Sequence, residues 1–344
     1  MRVTALLMDR DLAVRVGARD LPAPGPGELL VGVAWAGICG SDLHVLRTGD
    51  WVAYWPATLG HEVAGRVLES RDPRFPAGTP VVLDSRVPER GADGTLRADR
   101  LSPDLQWLGE AYPGGFAEAL VVPSVSARAV PESLDLADAV LAEPLAVTRC
   151  ALDQVRTSPA RVLVLGHGPI GALCHVEARR RWPDARVAVT EPDPGRAALA
   201  RELGADAPGD GPYDLVIDGA GHAESLTDAV RHASPGGTVL LVALGNAPSG
   251  VTTAEIVERG LTLIGSVGFD DHHLDEAVAA LAAAPARYRP IVSHRVPLTD
   301  LPAFLADPSA RKDAIKVLVD CAATQSAAEG ATQGGADRAA GGAR

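Results

Sequence analysis

"RVLVLGHGPIGALCHVEARRR", residues 161–181, passes from a short apolar run through three glycines into a segment with helical period. Gly166, Gly168 and Gly171 stand in G-x-G-x-x-G spacing. In a chain with 36 glycines that spacing alone means little, but here it directly follows a strand and opens a helix, as the motif requires. Gly166 permits a tight turn, Gly168 lets the backbone approach a pyrophosphate, and Gly171 allows close packing of helix on strand. Pro169 and Ile170 begin a helix whose free amides and partial positive charge suit phosphate. The alternative is a structural glycine turn that binds nothing.

The same alternation continues outward. "ARVAVTE" (185–191) reads as a second strand, "PGRAALARELGAD" (194–206) as a second helix and "YDLVIDGAG" (213–221) as a third strand. "GTVLLVALG" and "VERGLTLIGS" extend it, so the fold class is α/β with a doubly wound parallel sheet. Glu191 ends the second strand, where a carboxylate accepts hydrogen bonds from ribose hydroxyls and repels a 2′-phosphate, favouring NAD over NADP. Arg196 pulls the other way, since an arginine accommodates that phosphate.

Residues 1 to about 147 have a different texture, short strands broken by Pro and Gly. Residues 84–114 are polar and weakly patterned, a long excursion. After the α/β region the chain returns to strands at "YRPIVSHRVPL" (288–298) and "AIKVLVD" (314–320). This predicts one domain from 1–147 completed by 285–322, and a dinucleotide domain over 148–284. The Ala/Gly/Gln-rich residues 323–344 are expected to be a disordered tail.

The net charge of −12 argues against nucleic acid or an anionic membrane as partner. No segment reaches the roughly 18 apolar residues of a membrane span. Acidic residues interrupt what would be a signal-peptide core, so secretion is not indicated. The four cysteines, at 39, 150, 174 and 321, have no paired spacing, which points to a reducing cytoplasm. Cys150 and Cys174 read as small buried hydrophobes. Basic charge is nearly all arginine, the only lysines being Lys312 and Lys316.

Two short motifs carry chemistry: "GICGSDLH" (37–44) and "LGHEVAG" (59–65). A thiolate from Cys39 and an imidazole from His61 suit zinc, and a catalytic site needs only three protein ligands. A helix starting near Ser41 would favour the thiolate. Neighbours on a regular strand face opposite ways, so His61 and Glu62 share an ion only if the strand bends there. Each residue alone has a plain alternative: Cys39 in a core, His61 a satisfied histidine.

These motifs, followed in order by "PGGFAEALVVP", "EPLAV" and "LGHGPIG", resemble the zinc-dependent medium-chain alcohol and polyol dehydrogenases over roughly residues 1–320. The resemblance implies a GroES-like β-rich catalytic domain beside a Rossmann domain. It gives Cys39 and His61 as zinc ligands, with Glu62 a ligand or close partner. Glu143, where alcohol dehydrogenases often carry a second cysteine, resembles the sorbitol-like polyol branch and would bind the metal or its water. Ser41 and His44 match a proton relay, although they could be a helix cap and a surface residue. Asp42 fits a capping or orienting carboxylate.

Many relatives hold a second, structural zinc on four cysteines in the region matching 84–114. This chain has none between 39 and 150, so no structural zinc is expected and only one zinc per subunit, the catalytic one; the lobe would be held by packing or by a neighbouring subunit, through Trp107 and Tyr112. Trp51, Tyr54 and Trp55 either line a pocket or pack. The resemblance implies NAD-linked oxidation of a secondary hydroxyl on a polyol, cyclitol, sugar or amino sugar. A simple aliphatic or aromatic alcohol dehydrogenase and a catalytically dead nucleotide-binding regulator remain as alternatives; a zinc-free quinone reductase would not need the ligand set. "TLIGS" (262–266) would be a sheet edge pairing with its copy in a homodimer or homotetramer.

Overall fold

The computed structural model describes residues 1–87, 99–102, 105–245 and 247–322, and the strand backbone alone at 89–90 and 96–97. The tail 323–344 lies outside the described residues. Five parallel strands form the α/β sheet, in the order Arg186–Thr190, Arg161–Leu165, Tyr213–Asp218, Ala233–Leu241, Thr262–Gly265. Parallel strands covered on both faces read as continuous apolar runs, and Val162, Leu163, Val164, Leu215, Val216 and Ile217 are all buried. Helices Pro169–Arg181, Pro194–Glu202 and Ser225–His232 form the crossovers. Thr262–Gly265 is a half-exposed edge strand.

The N-terminal half builds a mixed sheet around the strand Glu28–Gly37. Glu62–Ser70 pairs along one side of it, and the other side is shared. Ala119–Pro123 takes its first residues and Lys316–Asp320, near the end of the described chain, takes its last. Val292–Pro297 then pairs parallel to Lys316–Asp320. The strands after the α/β region therefore return to the first sheet, and this connection positions the site described below.

The excursion over 84–114 carries more structure than its sequence suggests. Arg86–Val87 pairs with Gln106–Trp107, and Glu89–Arg90 with Leu96–Arg97. Two-residue strands are too short to print a period-2 pattern, so the sequence reads as irregular. Arg86 anchors the excursion to the α/β region. Its guanidinium is 1% exposed, pairs with Asp84 at 2.7 Å and Asp271 at 2.6 Å, and lies 4.5 Å over the Phe269 ring. A charge so buried is tolerable only when paired and hydrogen-bonded. Trp107 abuts Gly268 of the same region, where an added Cβ would meet its ring at 3.0 Å. Tyr112, by contrast, is 36% exposed.

Candidate metal and cofactor site

Cys39 caps the helix Gly40–Thr48, which starts one residue earlier than the sequence suggests, so Ser41 lies inside the first turn and not at the cap. The strand Glu62–Ser70 begins only after His61, and Gly60 before it has φ +95°. The alternation rule of a regular strand therefore does not reach His61, and neighbouring side chains turn to one place. Cys39, His61 and Glu62 each bring a ligand atom to within 4.8 Å of the other two. A thiol, an imidazole and a carboxylate so gathered fit a zinc ion with an open position.

Asp42 ties the two ligand segments together. Its Oδ2 accepts the Cys39 amide at 2.8 Å, its Oδ1 accepts the Gly60 amide at 3.1 Å, and Oδ1 lies 3.5 Å from His61 Nδ1. Burial works against charge on His61, but the Asp42 carboxylate and Cys39 overcome it and hold its pKa well above the usual imidazole value. Groups that orient ligands in this way typically matter 10–100-fold. Asp42→Asn, which turns an acceptor into a donor facing an amide, should lower zinc affinity and kcat by about that factor. Unchanged zinc affinity would show that the clamp does not orient the ligands.

The sequence reading missed Lys316. Leu318 pairs with Gly37 in antiparallel register, and Ile38 donates its amide to the Val317 carbonyl at 3.0 Å. Continuing that register brings Lys316 beside the Cys39 segment. Its Nζ donates to the Ile38 carbonyl at 3.0 Å and forms an ion pair with Glu62, both side chains being 1% exposed. Burial alone would lower the Lys316 pKa, but Glu62 and Cys39 outweigh it and raise it. Gly37 explains itself here: an added Cβ would overlap the Glu62 carboxylate and sit 3.0 Å from Lys316 Cε. A lysine opening an apolar strand, in a chain with two lysines, was the available signal.

Glu143, from the first turn of the helix Ala142–Asp153, stands outside the three-residue cluster but within its field. Burial pushes its carboxyl up to about 7; His61 pulls it down and Glu62 pushes it further up. Ser85 donates to its Oε1 at 2.7 Å. Glu110 was also missed, having no motif around it. Burial raises it to about 7 as well, with His61 and Asp42 acting in opposite directions.

His44 is held by Asp50, whose Oδ2 lies 2.9 Å from Nε2, and its ring sits 4.7 Å from that of Trp51. Trp51 is 50% exposed. Tyr54 and Trp55 pack on the core of the first sheet, and the Tyr54 hydroxyl donates to the Thr58 carbonyl at 3.0 Å. Ser41 lies in the first turn of the helix that Cys39 caps.

The glycine loop has the shape a dinucleotide needs. Gly168 is the N-cap of Pro169–Arg181, with Pro169 in its first turn and Ile170 following, and space for a Cβ there is open. At Gly171 a Cβ would overlap the Gly166 carbonyl, so only glycine lets helix and loop meet. Glu191 lies beside the loop and accepts the His167 amide at 2.7 Å and the Asp193 amide at 2.9 Å. Arg196 Nε is buried without a hydrogen-bond partner among the described residues.

Residues 25–132 match the alcohol dehydrogenase GroES-like domain family, and residues 137–321 match the glucose dehydrogenase C-terminus family. The chain belongs to the zinc-dependent medium-chain dehydrogenases. It is 31% identical over 327 residues to D-altritol 5-dehydrogenase of Agrobacterium fabrum, covering 87% of this chain and 94% of that one. It is 28% identical over 345 residues to sorbitol dehydrogenase of Gallus gallus, covering 92% and 96%. A Sinorhizobium meliloti 1021 structure, described as a zinc-binding dehydrogenase bound to NADP, superposes with TM-score 0.84 at 28% identity, covering 93% of this chain and 99% of that one. As a medium-chain dehydrogenase the chain acts on a small molecule, and among its described residues no helix is long and apolar enough to cross a membrane.

Beneath the glycine loop this dehydrogenase buries two histidines, His167 and His175, with Nε2 and Nδ1 3.3 Å apart. Burial pushes His167 down to about 4 and, with the help of His167, His175 down to about 3. Folded, both stay neutral; unfolded, each protonates below about 6.5. Acid therefore favours the unfolded chain, and stability should fall as pH drops from about 6.5 toward 4, by up to about 1.4 kcal/mol per pH unit per ring. Urea titrations at stepped pH would measure the slope, and His175→Leu should flatten it. An unchanged slope in that variant would clear the pair of responsibility.

Proposed function

We propose that this dehydrogenase oxidises a secondary hydroxyl of a polyol, cyclitol, sugar or amino sugar to a ketone, or runs the reverse, with NAD and one zinc ion in the cleft. The observation that carries this reading is the joining of Cys39, His61 and Glu62 within 4.8 Å, with the Glu143 carboxylate in their field. Cys39, His61 and Glu62 would hold the metal, and Glu143 would hold the metal or its water. The kinship with altritol and sorbitol dehydrogenases supports a polyol-like substrate.

Zinc, when bound, supplies Lewis acidity that brings an alcohol's pKa toward neutrality, and NAD supplies the hydride acceptor. The chain's own residues manage position and the proton. Ser41 and His44 are three apart on one helix and so share a face. Asp50 accepts from His44 Nε2, which leaves Nδ1 as the nitrogen able to take up a proton. Ser41 would accept the substrate proton and His44 would carry it toward solvent. Gly166, Gly168, Pro169, Ile170 and Gly171 would cradle the pyrophosphate, Glu191 would face the ribose, and Arg196 would line the same end.

We further propose the domain division 1–147 with 285–322 against 148–284, a reducing cytoplasmic setting, and a homodimer or homotetramer joined through the edge strand Thr262–Gly265. A zinc count combined with an NAD-linked screen of polyols, cyclitols and amino sugars tests the whole reading. Turnover of a member of that panel with NAD is the expected result. Tighter binding of NADPH than NADH would overturn the cofactor assignment. No turnover across polyols and simple alcohols, with zinc and NAD both bound, would overturn the oxidation assignment and favour a catalytically dead nucleotide-binding regulator.

A further inference from the structure

A second cluster of metal-ligating side chains, sharing no residue with the first, lies where the end of the helix Ala142–Asp153 meets the start of Asp271–Ala283. Cys150, Asp270 and His273 each bring a ligand atom to within 4.8 Å of the others. Cys150 is 1% and His273 3% exposed. We propose that these three residues form a second zinc site, which pins the start of the later helix to the end of the earlier one.

The donor chemistry carries the choice of ion. Thiolate with imidazole and carboxylate is a zinc set, and the sulfur disfavours calcium or magnesium. Zinc bonds of about 2.0–2.3 Å place ligand atoms roughly 3.5 Å apart, inside the 4.8 Å within which these atoms lie. His273 Nδ1 accepts the Asp270 amide at 3.1 Å as part of the capping box that starts this helix, and the same amide lies against the Cys150 thiol. Zinc on Nδ1 would replace that bond and leave the amide to the Cys150 sulfur. The other nitrogen, Nε2, is buried and makes no hydrogen bond, with Asp153 Oδ2 the facing carboxylate at 3.4 Å. A ligating histidine ordinarily turns its second nitrogen to such a carboxylate.

Metal entry displaces the Cys150 proton to solvent, since only the thiolate is a ligand. Arg100 is the competing cation, with Nε 3.3 Å from Asp270 Oδ1. Arg181 occupies the far side of Asp153. The absence of cysteines between 39 and 150 removes a structural zinc only from the excursion. This cluster draws its sulfur from a helix of the other region.

The test is a zinc count on the full-length enzyme, reloaded with zinc after chelation. Wild type should hold two equivalents, and Cys150→Ser and His273→Gln should each hold one, with native near-ultraviolet circular dichroism. Arg100→Gln should tighten the second equivalent about tenfold. Cobalt added to Cys39→Ser should still give thiolate-to-cobalt absorption, which the further change Cys150→Ser removes. One equivalent in wild type, unchanged by Cys150→Ser, would overturn the second site while leaving the cleft ion intact. Loss of all zinc in Cys150→Ser with native dichroism would also overturn it, because the two sites should empty separately. Should Cys39→Ser not fold, the counts for Cys150→Ser and His273→Gln decide the matter alone.

Discussion

Lys316→Met should destabilise the protein by about 3–5 kcal/mol, because it leaves the Glu62 carboxylate buried without its counter-charge. Both side chains are 1% exposed, so water cannot replace the lost partner. The lysine also donates to the Ile38 carbonyl at 3.0 Å, a bond methionine cannot make. Urea unfolding of the metal-free protein measures the loss directly. Replacing both partners, with Lys316→Met and Glu62→Leu together, should recover much of it, since the cost lies in the unpaired charge more than in the missing pair. A loss below about 1 kcal/mol for Lys316→Met would mean that the pair behaves like an exposed salt bridge.

The second large effect belongs to function. Cys39→Ser should abolish zinc binding in the cleft and lower kcat/KM by about a thousandfold or more. The estimate takes several kcal/mol of Lewis-acid stabilisation at about 1.36 kcal/mol per factor of ten. A hydroxyl is a poor substitute for a thiolate at neutral pH. The fold should survive, because Asp42 still accepts the residue-39 amide, a backbone contact independent of the side chain. Zinc analysis and steady-state kinetics on the same preparation provide the check. Retained zinc with less than a tenfold loss of kcat/KM would remove Cys39 from the ligand set.

Several parts of the molecule are local in origin and could be read locally. The run 161–181 predicts strand, turn and helix, and the strand Arg161–Leu165 and helix Pro169–Arg181 stand there. The parallel α/β sheet follows from apolar runs alternating with helical segments, a pattern each piece of chain prints by itself. Donor types also belong to the sequence: a thiol, an imidazole and a carboxylate at 39, 61 and 62. The two-residue strands of the excursion were not legible, being shorter than the period that would announce them.

What the amino-acid sequence determined alone was therefore the α/β class, the glycine loop and the chemical types of the side chains at 39, 61 and 62, each a property of its own short stretch. Tertiary structure decided which distant groups those donors meet. Lys316 reaches Glu62 because a C-terminal strand takes the free flank of Glu28–Gly37, and Gly37 leaves the room. Asp42 joins Cys39 to Gly60 and faces His61 across a chain reversal, and Cys150 meets His273 only where two helices cross. Strand register and helix packing are set by the summed burial of many side chains, and no single stretch of sequence records them.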